Sequence, residues 1–319
     1  CMNLKKSEKI SIMEVCGTHT NVILKSGIKS LLPNNIKLIN GPGCPVCVTS
    51  QGYIDTAIEL TNRKNIIITT FGDLMKVPGK DSTLNKEKAL GKDIRVVYSP
   101  LDSIKIAEDN PNKEVVFLAI GFETTAPIIA LSIEIAQSKK IRNFSILNSL
   151  KTMPQAMESL VLNPNLKVDA FLCPGHVATI IGEEQFKNLA LKYKIPMVIT
   201  GFEINDILAS ICKIVEMKNK CENELVNLYS RFVKKEGNIN AINIIYEVFN
   251  ECESYWRGLG KVNNAGLEIK EKYKEFDSLS KFNISFLKEN DNKGCSCGEV
   301  LIGLKEPREC KLFGTVCTH

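Results

Sequence analysis

Ile36-Lys37-Leu38-Ile39-Asn40-Gly41-Pro42-Gly43-Cys44-Pro45-Val46-Cys47 decides how this chain is read. An apolar run, Ile36 to Ile39, leads into the glycine turn Gly41-Pro42-Gly43, and a helical pattern begins near Ser50. Strand, tight turn and helix in that order open an α/β unit. The turn carries a Cys-x-x-Cys pair. The thiolate is the nucleophile and metal ligand, and a helix N-terminus lowers a cysteine pKa from about 8.5 toward 7 or below. At the entrance of a helix, Cys44 and Cys47 are therefore expected to form a redox pair or half of a metal site. The plainer alternative is a reduced pair packed at a turn.

Working outward, Ile10 to Val15 is a second apolar run, ending in Glu14-Val15-Cys16-Gly17-Thr18-His19-Thr20. Further apolar runs span 65–71, 93–98, 114–120, 144–147, 169–173 and 196–200, with helical patterns between them. Runs without polar alternation indicate parallel strands buried on both faces. The expected fold is α/β: two similar parallel-sheet, Rossmann-like domains, 10–110 and 111–217, facing a cleft. A C-terminal, mainly helical or irregular domain, 218–319, follows, with a helix over 224–249. Gly-Phe-Glu after an apolar strand at both 121–123 and 201–203 supports two similar halves. In open parallel sheets ligands bind beyond the carboxyl ends of the strands. The unusual motifs fall at such ends: 16–19, 41–47, 121–125, 173–176 and 201–203.

The chain has 319 residues, 44% hydrophobic and 24% charged, with a net charge of +5. These are globular values, with neither the basic footprint of a nucleic-acid binder nor an apolar run long enough to span a membrane. No signal-peptide pattern precedes the first strand, so the expected compartment is the reducing cytosol, where its 12 cysteines bind metal or react rather than staple the fold. The tail holds Cys295, Cys297, Cys310 and Cys317 with spacing C-x-C-x12-C-x6-C. Four thiolates there suit an iron–sulfur cluster or a tetrahedral zinc. Cys16 with His19, Cys44 and Cys47 is a second candidate metal or redox site. His19 and His176 stand in glycine-flanked turns, suited to ligation or proton transfer as well as to plain turn hydrogen bonds. Glu123 and Glu203 read as buried acids or as caps, Cys212, Cys221 and Cys252 as core cysteines on helices, and Cys173 stays ambiguous. Val77-Pro78-Gly79-Lys80-Asp81 lacks the spacing of a phosphate-binding loop.

Taken together, Met13 to Thr20, Gly41 to Cys47, Phe71-Gly72-Asp73 with Val77-Pro78-Gly79-Lys80, Gly121-Phe122-Glu123-Thr124-Thr125, Pro174-Gly175-His176-Val177, Trp256 to Gly260 and Cys297 to Leu301 closely resemble the HypD family of hydrogenase maturation factors. The resemblance runs over nearly the whole chain in one order. It implies two α/β domains and a third holding a [4Fe-4S] cluster. It implies a scaffold for assembling the Fe(CN)2CO unit of [NiFe] hydrogenase with the chaperone HypC, cyanide arriving through HypE and HypF. Cys16 matches the family's iron-binding thiol, Cys44 and Cys47 its redox pair, and Cys295, Cys297, Cys310 and Cys317 its cluster region. The spacing of the first cluster ligand differs within the family, which leaves Cys295 the open member of that set. A rival reading from the residues alone is a freestanding thiol–disulfide oxidoreductase with a structural metal in the tail.

Overall fold

The computed structural model describes residues 9–288 and 294–315. Eleven strands are named along the described chain. They are β1 (Ile10–Glu14), β2 (Ile36–Asn40), β3 (Ile66–Thr70), β4 (Ile94–Val96), β5 (Glu114–Gly121), β6 (Phe144–Leu150), β7 (Ala170–Pro174), β8 (Met197–Thr200), β9 (Leu225–Asn227), β10 (Phe249–Trp256) and β11 (Gly260–Ile269). Two parallel sheets result, ordered β2-β1-β7-β8-β9 and β4-β3-β5-β6, so the fold is α/β. β3, β7 and β8 are buried along their whole length, which is why their sequences do not alternate. Among the described residues no helix is long and apolar enough to cross a membrane.

The described residues form two units. The first, 9–44, 153–242 and 294–315, holds the five-stranded sheet. Ile10, Ile12, Leu38, Leu172 and Val198 of its strands pack against Ile207, Ile211 and Ile214 of the helix Ile204–Lys220. The second, 45–152 and 243–288, holds the four-stranded sheet and the antiparallel hairpin β10–β11. Ile68, Val116, Leu118 and Leu147 pack there against Tyr53, Ile54 and Leu60 of the helix Gln51–Thr61, and the Tyr53 hydroxyl donates to the carbonyl of Leu147 at 2.8 Å. The units interleave in sequence, with crossings at 44/45, 152/153 and 242/243 and a return to the first unit at Gly294. The sequence reading instead divides the chain successively, at 110 and 217. Strand periodicity identifies strands but does not say which sheet each joins, since a parallel pair needs a crossover whose length is open.

The region after 217 departs from its expectation. Residues 225–227 form an edge strand of the first unit's sheet, and the helix is confined to Ile239–Val248. Phe249 to Ile269 is a two-stranded antiparallel hairpin rather than helical or irregular chain. Trp256 is fully buried there, stacks on Phe122 at 5.7 Å and donates its indole N–H to Ala265 O at 3.1 Å. Tertiary burial of that ring outweighs the weak helical spacing around it. Lys151, at the end of β6, is also buried and donates to Ser254 Oγ at 2.8 Å and Tyr255 O at 2.7 Å, joining hairpin and sheet.

Candidate functional site

The five-stranded sheet changes direction between β1 and β7. The chain steps from β1 outward to β2 on one side, and β7 lies on the other. Such a switch point leaves a crevice at the carboxyl ends of the strands. The chain emerging from β1 enters the helix Gly17–Lys25, and Cys16, in extended conformation, is its N-cap. The Cys16 carbonyl accepts the Thr20 N–H at 3.1 Å. Its buried sulfur lies close to the amides of His19 and Thr18, which favour a thiolate, although the geometry is not that of an ordinary capping hydrogen bond. Burial outweighs them and raises the Cys16 thiol above its usual range, with the nearby Glu14 charge adding to the rise.

Glu14, the last residue of β1, turns its carboxyl back under this cap. Oε2 accepts the Cys16 N–H at 3.1 Å, and the Thr20 hydroxyl donates to Oε1. Burial pushes Glu14 up to about 8, against the pull of those two donors and of Lys29. His19 is buried on the same helix. Its Nε2 lies 3.0 Å from Gly201 O, so Nε2–H donates and Nδ1 carries the lone pair. That Nδ1 is buried without a hydrogen-bond partner in the described structure. Burial lowers His19 to about 4, so the ring is neutral at ordinary pH. It stacks on Phe202 at 4.7 Å, and Phe202 stacks in turn on the exposed His176 at 3.7 Å. The structure thus brings His19 and His176 to one aromatic stack spanning the ends of β1, β7 and β8.

The segment after β2 is laid directly on the Cys16 turn. Gly41 N–H donates to Glu14 O at 2.8 Å and Gly17 N–H to Gly43 O at 2.9 Å. A Cβ on Gly43 would fall 2.2 Å from Cys16 N, so only glycine allows this approach. Cys44 is half-buried and Cys47 exposed. The expected placement of the pair at the helix entrance is corrected by the structure. Residues 45–48 form a separate turn, held by the Thr49 hydroxyl on Pro45 O at 2.7 Å, and the helix starts only at Gln51 behind its Ser50 cap. The cysteine at a helix N-terminus is Cys16 instead.

In the tail, Cys297 opens the short helix Cys297–Leu301, Cys295 is exposed and Cys310 half-buried. Backbone N–H groups of Ser296 and Leu312 point at the Cys310 sulfur and hold its thiol below the usual range. Cys310 therefore folds back on the residue between Cys295 and Cys297. Among the described residues no three His, Cys, Asp or Glu side chains converge as a metal site. Cys317 lies outside the described residues.

Other candidates separate cleanly. Glu203 is exposed and caps the helix Ile204–Lys220, whereas Glu123 is buried. Cys173 is fully buried, and burial raises its thiol strongly. Cys212 is half-buried on a helix, Cys221 is exposed at a helix end, and Cys252 is on β10 rather than on a helix. The two Gly-Phe-Glu motifs are not equivalent by topology: one follows β5, third across its sheet, the other β8, fourth across its own. The sequence reading did not single out Glu14 or Phe202. The signal for Glu14 was its place at the end of an apolar strand.

A parallel α/β sheet with a buried cysteine, a neutral histidine and a second cysteine loop at its switch point defines an α/β protein with a thiol-bearing candidate site. The model of the family described as "Hydrogenase formation hypA family", HypD, matches residues 2–319. The chain is 46% identical over 314 residues to a putative hydrogenase expression/formation protein of Methanocaldococcus jannaschii, covering 98% of this chain and 87% of that protein. It is 44% identical over 314 residues to hydrogenase maturation factor HypD2 of Bradyrhizobium diazoefficiens (96% and 83% covered) and 40% identical over 311 residues to HypD of Escherichia coli (97% and 83%). The chain belongs to the HypD family, and its role is in hydrogenase maturation.

Proposed function

We propose that the chain is a redox-active scaffold that, with HypC, assembles and carries the Fe(CN)2CO unit for a [NiFe] hydrogenase. One observation carries this reading: the buried Cys16 thiol, at the switch point of a parallel sheet, beside the neutral His19 and the Cys44 loop. The iron unit is the cargo. Cyanide and carbonyl make its iron low-spin and soft, and thiolate is a matching anchor. Cys16, with a cysteine of HypC, holds the iron. HypE supplies cyanide, made with HypF. His19 and His176 assist ligand or proton handling at the site, His19 as a neutral ring whose Nδ1 has no hydrogen-bond partner among the described residues. Cys44 and Cys47 exchange electrons as dithiol and disulfide. Each parallel sheet is read as a Rossmann-like half, and the work as cytoplasmic.

The tail cysteines are read, from their donor chemistry and spacing, as the ligands of a [4Fe-4S] cluster. Backbone N–H groups of Ser296 and Leu312 near the Cys310 sulfur favour its thiolate, the form that ligates iron, which supports this reading. Cys295, Cys297, Cys310 and Cys317 are the proposed ligands. When bound, such a cluster supplies single electrons.

The test is an infrared spectrum of the anaerobically purified protein, co-expressed with HypC, HypE and HypF. Cyanide and carbonyl bands are expected in the wild type and lost in Cys16→Ala. A Cys16→Ala protein that retained both bands would overturn the anchor role. The exposure of Cys47 favours one second reading, a thiol–disulfide oxidoreductase; silent infrared spectra, with zinc in the tail and turnover on small disulfides, would select it.

A further inference from the structure

Two cysteine-bearing segments of the first unit run in reciprocal contact. The neighbour of each cysteine touches the other cysteine. A Cβ built on Gly43 would lie 2.5 Å from Cys16 Cα, and one built on Gly17 would lie 3.6 Å from Cys44 Cβ and 3.8 Å from Cys44 Cα. The Gly17 N–H bond to Gly43 O, at 2.9 Å, fixes the two segments side by side. A disulfide asks for Cα atoms about 4.4–6.8 Å apart. Two backbones in contact, with the cysteines one residue out of step, bring the two cysteines toward that range.

We propose that Cys16 and Cys44 form an intramolecular disulfide when the protein meets a low-molecular-weight disulfide of the glutathione class. The half-buried Cys44 reacts first. Its thiolate attacks the small disulfide, a Cys44–glutathione bond forms, and one glutathione thiolate leaves with the proton that Cys44 gave up. Cys16 then gives up its proton and attacks the Cys44 sulfur. The Cys16–Cys44 bond forms and the second glutathione leaves as thiol. Two protein thiols are oxidised and one small disulfide is reduced to two thiols, so electrons and protons balance. Excess thiol reverses both steps.

The bond locks the thiol at the end of β1. If Cys16 is the cargo thiol, as proposed above, loading of the iron unit is possible only after reduction. A bond within the Cys44–Cys47 pair is the competing product, and Cys47→Ser removes it.

The test is made on metal-free, full-length protein. It is reduced, exposed to oxidised glutathione, quenched in acid, alkylated and digested with trypsin without reduction. Cleavage at lysine and arginine leaves Cys16 on peptide 10–25 and Cys44 on peptide 38–63. The expected product is these two peptides linked, two hydrogens lighter than their sum. It should be present in wild type and in Cys47→Ser, absent in Cys16→Ser, and lost on adding excess thiol. Cys47→Ser protein with glutathione on Cys44 and an alkylated Cys16 would overturn the proposal. So would a wild-type protein whose linked fraction holds only Cys44 with Cys47. The readout needs neither iron nor partners, so its failure is distinct from failure of the scaffold reading.

Discussion

Replacing Gly43 by alanine tests the packing that builds the site. The added methyl would sit 2.2 Å from Cys16 N, 2.4 Å from Val15 C and 2.5 Å from Cys16 Cα. Unstrained contacts between such atoms are about 3.5–4.0 Å. All three neighbours are backbone, so no side chain can swing aside and the two segments must part by about 1 Å or more. Parting them stretches the Gly17–Gly43 hydrogen bond, for a net loss of about 1 kcal/mol. Overpacking adds about 1–3 kcal/mol. The stiffer unfolded chain returns about 0.4–1 kcal/mol. Combining these ranges gives a destabilisation of about 1–3.5 kcal/mol. Urea unfolding reads it as a lower midpoint at unchanged slope. Gly72→Ala is the control, since its methyl would meet only Val96 Cγ1, at 3.5 Å, an ordinary contact. That variant should stay within about 0.5 kcal/mol of wild type. The same Gly43→Ala protein should also lose the Cys16–Cys44 linkage. A Gly43→Ala protein as stable as Gly72→Ala would refute the close approach on which the site is built.

Two buried groups set the pH dependence. Glu14 is raised from its ordinary 4.5 to about 8, so between those values the folded state holds a proton that the unfolded chain releases, and stability falls as pH rises. His19 is lowered from 6.5 to about 4, so over that interval the unfolded chain binds the extra proton and stability rises with pH. The two oppose each other from about pH 4.5 to 6.5, and Glu14 acts alone from there to about 8, with a limiting slope of about 1.4 kcal/mol per pH unit. Glu14→Gln should therefore flatten the unfolding free energy above pH 6.5 and steepen its rise below, as measured by urea titration across pH; an unchanged profile would contradict the burial of Glu14. Trp256→Ala should destabilise by about 3–5 kcal/mol, because the ring is fully buried, stacked on Phe122 and hydrogen-bonded to Ala265; a thermal shift within error of wild type would sink that account. In metal-free reduced protein, iodoacetamide should label Cys310 early, since backbone N–H donors favour its thiolate, and Cys173 only on unfolding. Peptide mass mapping reads the order, and early labelling of Cys173 would contradict its position inside β7.

The candidate site residues were legible because they stand where strands end. Cys16, His19, Cys44 and His176 follow apolar runs and sit beside glycines, and the observed strands stop there: β1 at Glu14, β2 at Asn40 and β7 at Pro174. Strand identity was legible too, because a strand buried on both faces must be apolar throughout. Three things were not. The hairpin Phe249 to Ile269 reads poorly because the partners of its Trp256, among them Phe122 and Lys151, are distant in sequence, and Ala265 lies across the hairpin. The Gly-Phe-Glu repeat suggested equivalent halves, but strand order, which no local pattern encodes, places its copies differently. Glu14 reads as a strand residue like its neighbours.

The sequence by itself therefore determined the class of fold, the buried parallel strands up to β8 and the candidate site residues at their ends, since burial on two faces and turn chemistry act within a few residues. Only the tertiary structure decided which strands share a sheet, that the helix N-terminus belongs to Cys16 rather than to Cys44 and Cys47, and that Gly43 brings those two segments into contact. It also decided that Glu14 and His19 are buried deeply enough to shift their proton affinities in opposite directions. These are consequences of desolvation and close approach between segments far apart in the chain, and both are fixed by what packs around a residue rather than by what stands next to it.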